Sequence, residues 1–436
     1  MNIITNKKQL ATTPLRKDAL AIIESGYRAI DIKYMVDSRV RVKGRTLTVR
    51  GTHNRTSARL PKDGRVYVIG VGKGTNAAVH AIAGKLKSRM TEGLSLDIKG
   101  SPRPLKNYSR VIEMWGTHPT PSLKNIRATK RILSTVKHLS GDDLVVYVIG
   151  GGGSSLLCGS FQEYILGKDV FSKMTLKGAP IQDLNIVRKH LSEVKGGWLA
   201  YHTYPARSLS LIVSDVCGDD DSVIASGPTV YDKSTVNDAR SVLKKYGVST
   251  TKLLLNETPK DKKLFVRARH LLFVDNSDAL MAMKKKAVML GYKAHIFSTA
   301  LEGEAKTALV SMVKKTIKGE ALLAGGETTV RLGAEKGIGG RNQEASLGVL
   351  ADAWDGKLSL LGTLAISFAS DGYDNTPSAG AFADATALVT ASEENIDPTQ
   401  YLLKHDSFTF FSKMGNMMHV KHTAFNVSDL MLVLKK

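Results

Sequence analysis

Lys73 stands between Gly72 and Gly74 in the stretch Gly-Val-Gly-Lys-Gly at 70–74. Flanking glycines let other atoms approach the backbone closely. A lysine at a helix start adds an ammonium to amides and a dipole that already favour an anion. The spacing fits neither familiar phosphate loop: a dinucleotide fingerprint wants glycine where Thr75 stands, and a Walker A loop wants four residues between its glycines, then Lys-Ser/Thr. Four glycines at 150–153 then precede Ser154 and Ser155. Glycines after an apolar strand weaken packing unless a ligand must touch the backbone. Gly151, Gly152 and Gly153 with the two hydroxyls are therefore a candidate cradle for phosphate or carboxylate oxygens. The stretch is no G-x-S-x-G elbow, which argues against a nucleophilic Ser154. A solvated turn lysine and a flexible connection remain the plain alternatives.

Further along, Arg188, Lys189, His190 and Lys195 gather on one segment. Arginine and lysine suit carboxylate and phosphate oxygens, and the sequence Lys195-Gly196-Gly197 argues against a plain exposed basic helix. His190 is read as structural. Asp215 ends an apolar run, where a carboxylate can hold magnesium or accept a proton; Asp219, Asp220 and Asp221 are read as capping or solvating their loop. In the second half, Ala-Gly-Gly-Glu presents Glu327, and Ser-Asp-Gly-Tyr-Asp presents Asp371 and Asp374. Arg341 follows two glycines at a helix start, a poor structural choice and a good oxyanion binder.

These residues need elements to hold them. Apolar runs of strand length, such as Arg-Val-Tyr-Val-Ile-Gly and Asp-Leu-Val-Val-Tyr-Val-Ile-Gly, end in glycine or acidic turns and lead into helical periodicity. Ala78, Ile82 and Leu86 share one helix face; Leu123, Ile126, Leu133 and Val136 share another. Unbroken Val/Ile/Leu strands alternating with helices imply an α/β fold with a mostly parallel sheet covered on both faces, and ligands outside the carboxyl ends of its strands. A chain of 436 residues exceeds one core and implies two domains. The expected division is a Rossmann-like domain over 1–255, a polar linker over 256–269, and a smaller α/β domain over 270–436. Strands are expected near 270–274, 293–297, 320–324 and 361–367, with a helical tail after 384.

Composition bounds the partners. Lys and Arg total 62 against 40 Asp and Glu, a formal charge of +22. The charges are dispersed, with no RNP-like aromatic string, zinc knuckle or helix-turn-helix, so nucleic acid is not the expected partner; the field attracts anionic metabolites. Cys158 and Cys217 lack CxxC or CxxH spacing, which speaks for reduced thiols and against zinc. The N-terminus has no signal-peptide core and no run is long enough to span a bilayer, so a cytoplasmic protein is expected. Whether it forms a homo-oligomer is not legible.

In order, Gly-Val-Gly-Lys-Gly-Thr-Asn-Ala, His-Pro-Thr-Pro, the 150–157 glycine-serine loop, 185–200, 213–229, Gly-Gly-Glu-Thr-Thr-Val, Gly-Gly-Arg-Asn-Gln-Glu, Ser-Asp-Gly-Tyr-Asp-Asn and His-Asp-Ser-Phe-Thr-Phe-Phe resemble the glycerate 2-kinase family, whose C-terminal half is called the MOFRL domain. The resemblance spans about 15–436. It implies ATP and magnesium as cofactors, D-glycerate as substrate, and a site in a cleft between two domains. Lys73 and Arg341 match the family's catalytic cations. Asp215, Glu327 and Asp371 match its acidic positions, the first and last as metal ligands. Gly72, Gly151–Ser155, Arg188, Lys195 and Asn342 fall in its substrate- and phosphate-binding motifs. A hydroxypyruvate reductase and a non-catalytic binder of anionic metabolites or nucleic acid are the alternatives. The chain departs from the family pattern at Ser122, where an acidic residue is common, at Asn375, where glycine is usual, and at Ala424-Phe425, where Gly-Thr is typical; the last is expected to reshape a wall of the site.

Overall fold

The computed structural model describes every residue except 1, 2, 217, 219, 334–336 and 423. Cys217 and Asp219 thus lie outside the described residues. The chain folds into two units. One holds the described residues of Met35–Asp215 and Asp219–Phe273; the other holds those of Met1–Tyr34, Val216–Gly218 and Val274–Lys436.

The first unit is built on six strands in the order Val111–Gly116, Glu92–Ile98, Val66–Val71, Leu144–Ile149, Arg207–Val213 and Ala268–Val274. Numbered along the chain, that order is 3-2-1-4-5-6, the doubly wound arrangement, and the first five strands are parallel. Val66–Val71 and Leu144–Ile149 are buried at every position, as apolar runs between two helical layers must be. Helix Thr75–Leu86 buries Ala78, Ile82 and Leu86 as its period requires. Helix Leu123–Val136 buries Ile126, Leu133 and Val136 but leaves Leu123, in its first turn, exposed. A small antiparallel meander, Val40–Lys43, Thr46–Arg50 and Arg55–Arg59, belongs to the same unit.

The boundaries differ from those expected. Strand Ala268–Val274 completes the first sheet rather than opening the second unit. The polar stretch before it is no free linker: Asn256 exchanges hydrogen bonds with His190, and Thr258 and Lys260 bond the Asp232 carboxylate and carbonyl. Its polar composition serves these contacts. The N-terminal helix Pro14–Ala29 sits in the second unit, tied by the buried Arg16–Asp384 ion pair (2.6 Å) and by the Tyr27 hydroxyl donating to the Ala369 carbonyl (2.7 Å).

The second sheet runs Lys293–Leu301, Glu320–Gly326, Asp429–Lys435, Thr363–Ala369, Gly380–Asp384 and Met417–Met418. Its first pair is parallel and the rest are antiparallel, so this sheet is mixed. The region after 384 is not a helical appendage. Its last apolar run, Asp429–Lys435, is a nearly fully buried strand inserted between two others.

Candidate active site

The strand order of the first unit reverses between Val66–Val71 and Leu144–Ile149. Crossovers leave to opposite faces there, which opens a crevice at the carboxyl ends. Both glycine loops sit at that point. Gly72 has φ +131° and a Cβ on it would lie 2.7 Å from the Gly150 carbonyl oxygen, so no other residue fits; the Lys73 amide donates to the Gly151 carbonyl at 2.9 Å. Gly152 (φ +78°) lies against the Lys73 stem, its would-be Cβ 3.5 Å from Lys73 Cγ and 3.1 Å from the His118 ring. Lys73 is half-buried. The protein around the His118 ring, and then the Lys73 charge, pull that imidazole down to about 4, so it is neutral at physiological pH.

The lysine loop is not, however, an open backbone cradle. Gly72 N donates to Leu96 O, Thr75 N to Gly72 O, and the amides of Gly74 and Asn76 to the Asp97 carboxylate at 3.3 and 3.0 Å. Asp97 is fully buried at the end of the neighbouring strand. Burial lifts its pKa to about 6, against hydrogen bonds from Ser101, Asn76, Ile98 and Gly74. A built-in carboxylate thus takes the helix amides on which an anion was expected to rest. The backbone of this loop is engaged within the protein, and Gly72 serves packing.

The second loop differs. The amides of Gly151, Gly152 and Ser154 donate to no described residue. Ser154 Oγ meets Ser226 Oγ at 2.9 Å, and Ser226 donates to Asn185 Oδ1 at 2.8 Å. Ala225 and Ser226 hold positive φ (52° and 60°), a conformation that costs a non-glycine residue about 1 kcal/mol or more. Gly153 fits against them because a Cβ there would stand 2.6 Å from Ala225 Cβ. Asn185 Nδ2 is buried and unpaired among the described residues.

Ser154, Ser155, Arg188 and Lys195 line one cavity of about 550 Å³ with Pro119, Thr120 and Phe171. Arg188 lies over the Phe171 ring (4.9 Å to the centroid) and reaches Asn185 Oδ1 at 3.4 Å; burial lowers its pKa. Lys195 contributes less than its type promised. It is buried in an ion pair with Glu163, which also accepts from Gly159 N and Ser192 Oγ. Its charge is neutralised inside the fold. Lys189 is likewise paired with Asp232 (3.1 Å), and His190 is buried between Asn256 and Ser234, a structural role as expected.

In the second unit, Arg341 opens helix Arg341–Trp354. Its Nε and Nη2 donate to Asp429 and its Nη1 to Glu327. Burial works against its charge, but Asp429 and then Glu327 hold its pKa above the ordinary arginine value. Asp429 is fully buried; burial first, and Asp374 weakly, raise its pKa to about 6 while Arg341 and Asn342 oppose. Asn342 Nδ2 bridges Asp429 (2.9 Å) and Asp374 (3.1 Å), and the Asp374 carboxylate caps the helix by accepting from the amides of Asn342 and Gln343. Arg341 is therefore anchored on one side by Asp429, with the exposed Glu327 on the other.

Of the expected metal ligands, Asp215 follows strand Arg207–Val213 and Asp371 accepts from Tyr373 N at 3.1 Å. Among the described residues no three His, Cys, Asp or Glu side chains cluster as a metal site. The departures are absorbed. Ser122 is the N-cap of Leu123–Val136, its amide donating to Asn125 Oδ1. Asn375 has φ +54°, where asparagine is among the best substitutes for glycine. Ala424 and Phe425 are buried against Asp31 and Ile30, so the expected change to a site wall is a core contact. Asp97, Asp429 and His118 were missed. The first two had one signal: an aspartate within, or heading, an otherwise apolar strand.

Residues 18–255 match the domain of unknown function DUF4147, and residues 320–429 match the MOFRL family. The chain is 35% identical to the D-glycerate 2-kinase of Thermotoga maritima over 85% of its own length and 90% of that protein. It is 32% identical to the glycerate 2-kinase of Pyrococcus horikoshii, over 96% of this chain and 97% of the other. A protein of Agrobacterium vitis provisionally named a hydroxypyruvate reductase is 36% identical, over 85% and 87%. The crystal structure of the Thermotoga maritima glycerate kinase superposes with a TM-score of 0.80 at 31% identity, covering 96% of this chain and 99% of that one. Among the described residues no helix is long and apolar enough to cross a membrane.

Proposed function

The chain belongs to the glycerate 2-kinase family, and on that premise we propose that it moves the γ-phosphoryl group of ATP to the 2-hydroxyl of D-glycerate. The bond from phosphorus to the β-phosphate oxygen breaks, a bond to the glycerate oxygen forms, and the hydroxyl proton leaves, giving 2-phosphoglycerate and ADP. Such a reaction asks a protein mainly for positioning and for neutralisation of spread charge. The reading rests on the switch point of the doubly wound sheet, where Lys73 lies along a glycine loop whose Gly151, Gly152 and Ser154 amides donate to no described residue. Gly151, Gly152, Ser154 and Ser155 supply donors for phosphoryl oxygens, and Lys73 a compact ammonium. Arg188, on the cavity that Ser154 and Ser155 share, suits a carboxylate or phosphate. Arg341 is the second cation, oriented by Asp429, and Glu327 is the partner an incoming anion displaces. Gly72, Gly153, Lys195 and Asn342 hold these groups in place.

Magnesium would neutralise phosphate charge. An ion bound mostly by phosphates and waters needs only one or two carboxylates, so lone aspartates fit it without a three-ligand cluster. Asp215 is the first candidate and Asp371 the second. The small polar substrates suit a cytoplasmic enzyme.

The reductase reading fares worse on one observation. A dinucleotide rests its pyrophosphate on the amides at the first helix start, and Asp97 takes two of them. A coupled assay separates the two. ADP release dependent on D-glycerate, with no oxidation of NADH or NADPH by hydroxypyruvate, is expected; nicotinamide oxidation without ADP release would reverse the assignment.

A further inference from the structure

The opposite, amino-terminal end of the first unit's sheet carries a second feature. Leu144 and Arg207 are the first residues of adjacent strands and pair in register. Beside them lies a cavity of about 330 Å³ whose lining includes Arg59, Arg207, Arg267 and Arg269 and no acidic residue. A neighbouring cavity of about 240 Å³ shares Arg59 and Arg207 and adds Arg45 and Lys62, with Asp63 and Asp142.

None of these arginines forms an ion pair with a described carboxylate. Their recorded bonds go to carbonyl oxygens: Arg45 to Leu60, Arg267 to Pro205, Arg269 to Ser57. Arg207 feels the result. Burial first and then Arg267 disfavour its charge; Asp142 opposes, and Arg269 and Arg45 add to the repulsion. Arginine does not lose its proton in proteins, so the repulsion persists unless an anion relieves it. Arg267, in the turn before strand Ala268–Val274, and Arg269, within that strand, line the same cavity, and the Arg269 bond to Ser57 ties the meander strand to it.

The geometry points to a second binding site here, for a small molecule bearing two or more phosphate or carboxylate groups. Guanidiniums bind such groups bidentately, and two neighbouring cavities that share Arg59 and Arg207 suit linked anionic groups better than a single ion. Nucleic acid fits less well, because the lining is concave and holds no aromatic residue for base stacking.

The test is calorimetric titration of the full chain with sodium tripolyphosphate at fixed ionic strength. Binding is expected to be saturable, to survive Lys73→Ala, and to weaken by about tenfold or more in Arg207→Gln/Arg267→Gln. Should that pair fail to fold, Arg59→Gln, on an exposed strand of the meander, is expected to weaken binding in the same sense. The proposal is overturned if tripolyphosphate binding disappears with Lys73→Ala and ignores the arginines. It is equally overturned if the heat matches that of sulfate at equal charge, or if a short oligonucleotide binds through these arginines and tripolyphosphate does not.

Discussion

Among single residues, Lys73 is central to the proposed transfer. Its stem lies beside Gly152 and its charge helps lower the pKa of the His118 imidazole, after burial. Lys73→Ala should fold, bind nucleotide within about tenfold of wild type, and lose roughly a hundredfold or more in turnover, because charge that grows in the transition state loses its partner. Lys73→Arg should rescue poorly, since a planar fork does not replace a point charge between glycines. Steady-state kinetics with nucleotide binding measured separately check both. Lys73→Met should also raise the His118 pKa from about 4 towards its ordinary 6.5, readable by NMR titration. Asp97 makes a further case. Its folded pKa of about 6 exceeds the ordinary aspartate value of 3.8, so the folded state binds the proton more tightly and this group's stabilisation, full below about pH 4, is lost as pH rises through 6. Relative to wild type, Asp97→Asn should therefore gain stability from about pH 4 to pH 7, on the order of 2–3 kcal/mol. Melting curves at both pH values check the sign.

At the scale of elements, the buried parallel strands and helices were legible because Val/Ile/Leu runs and the 3.6 period have few other outcomes; Ala78, Ile82 and Leu86 lie as their spacing requires. Lys73 and the 150–155 loop were legible as glycine turns after such strands. What a turn's amides bond to was not, because that depends on a residue such as Asp97 arriving from another strand. The fate of Lys195 was hidden likewise in Glu163, 32 residues away. Asp374 illustrates the same point for helix Arg341–Trp354, whose first amides it caps. Asp374→Ala should cost about 1–2 kcal/mol from the lost cap, with more from stranding the buried amides of Asn342 and Gln343. It should lower turnover as well, because Arg341 starts that helix. Asn375→Gly, by contrast, should leave stability within about 1 kcal/mol of wild type, since glycine accepts φ +54° without strain.

At the scale of the whole molecule, the alternation of strands and helices foretold the α/β class, but the assignment of segments to units escaped it. The described residues before 35 and those after 273 belong to the same unit, and nothing local in Pro14–Ala29 says that Arg16 will pair with Asp384. Strand Asp429–Lys435 is bonded on both sides, so a chain ending at 428 should lose the fold of the second unit as well as Asp429, visible as lost near-UV circular dichroism and protease resistance. The family to which the chain belongs points to one reaction, phosphorylation of glycerate. Phosphorus NMR of the product formed from ATP and D-glycerate tests it most directly. The expected products are ADP and a single phosphate monoester whose phosphorus couples to the C2 proton of glycerate. ATP left intact in the presence of D-glycerate, or a phosphorus coupled to the C3 protons, would contradict it.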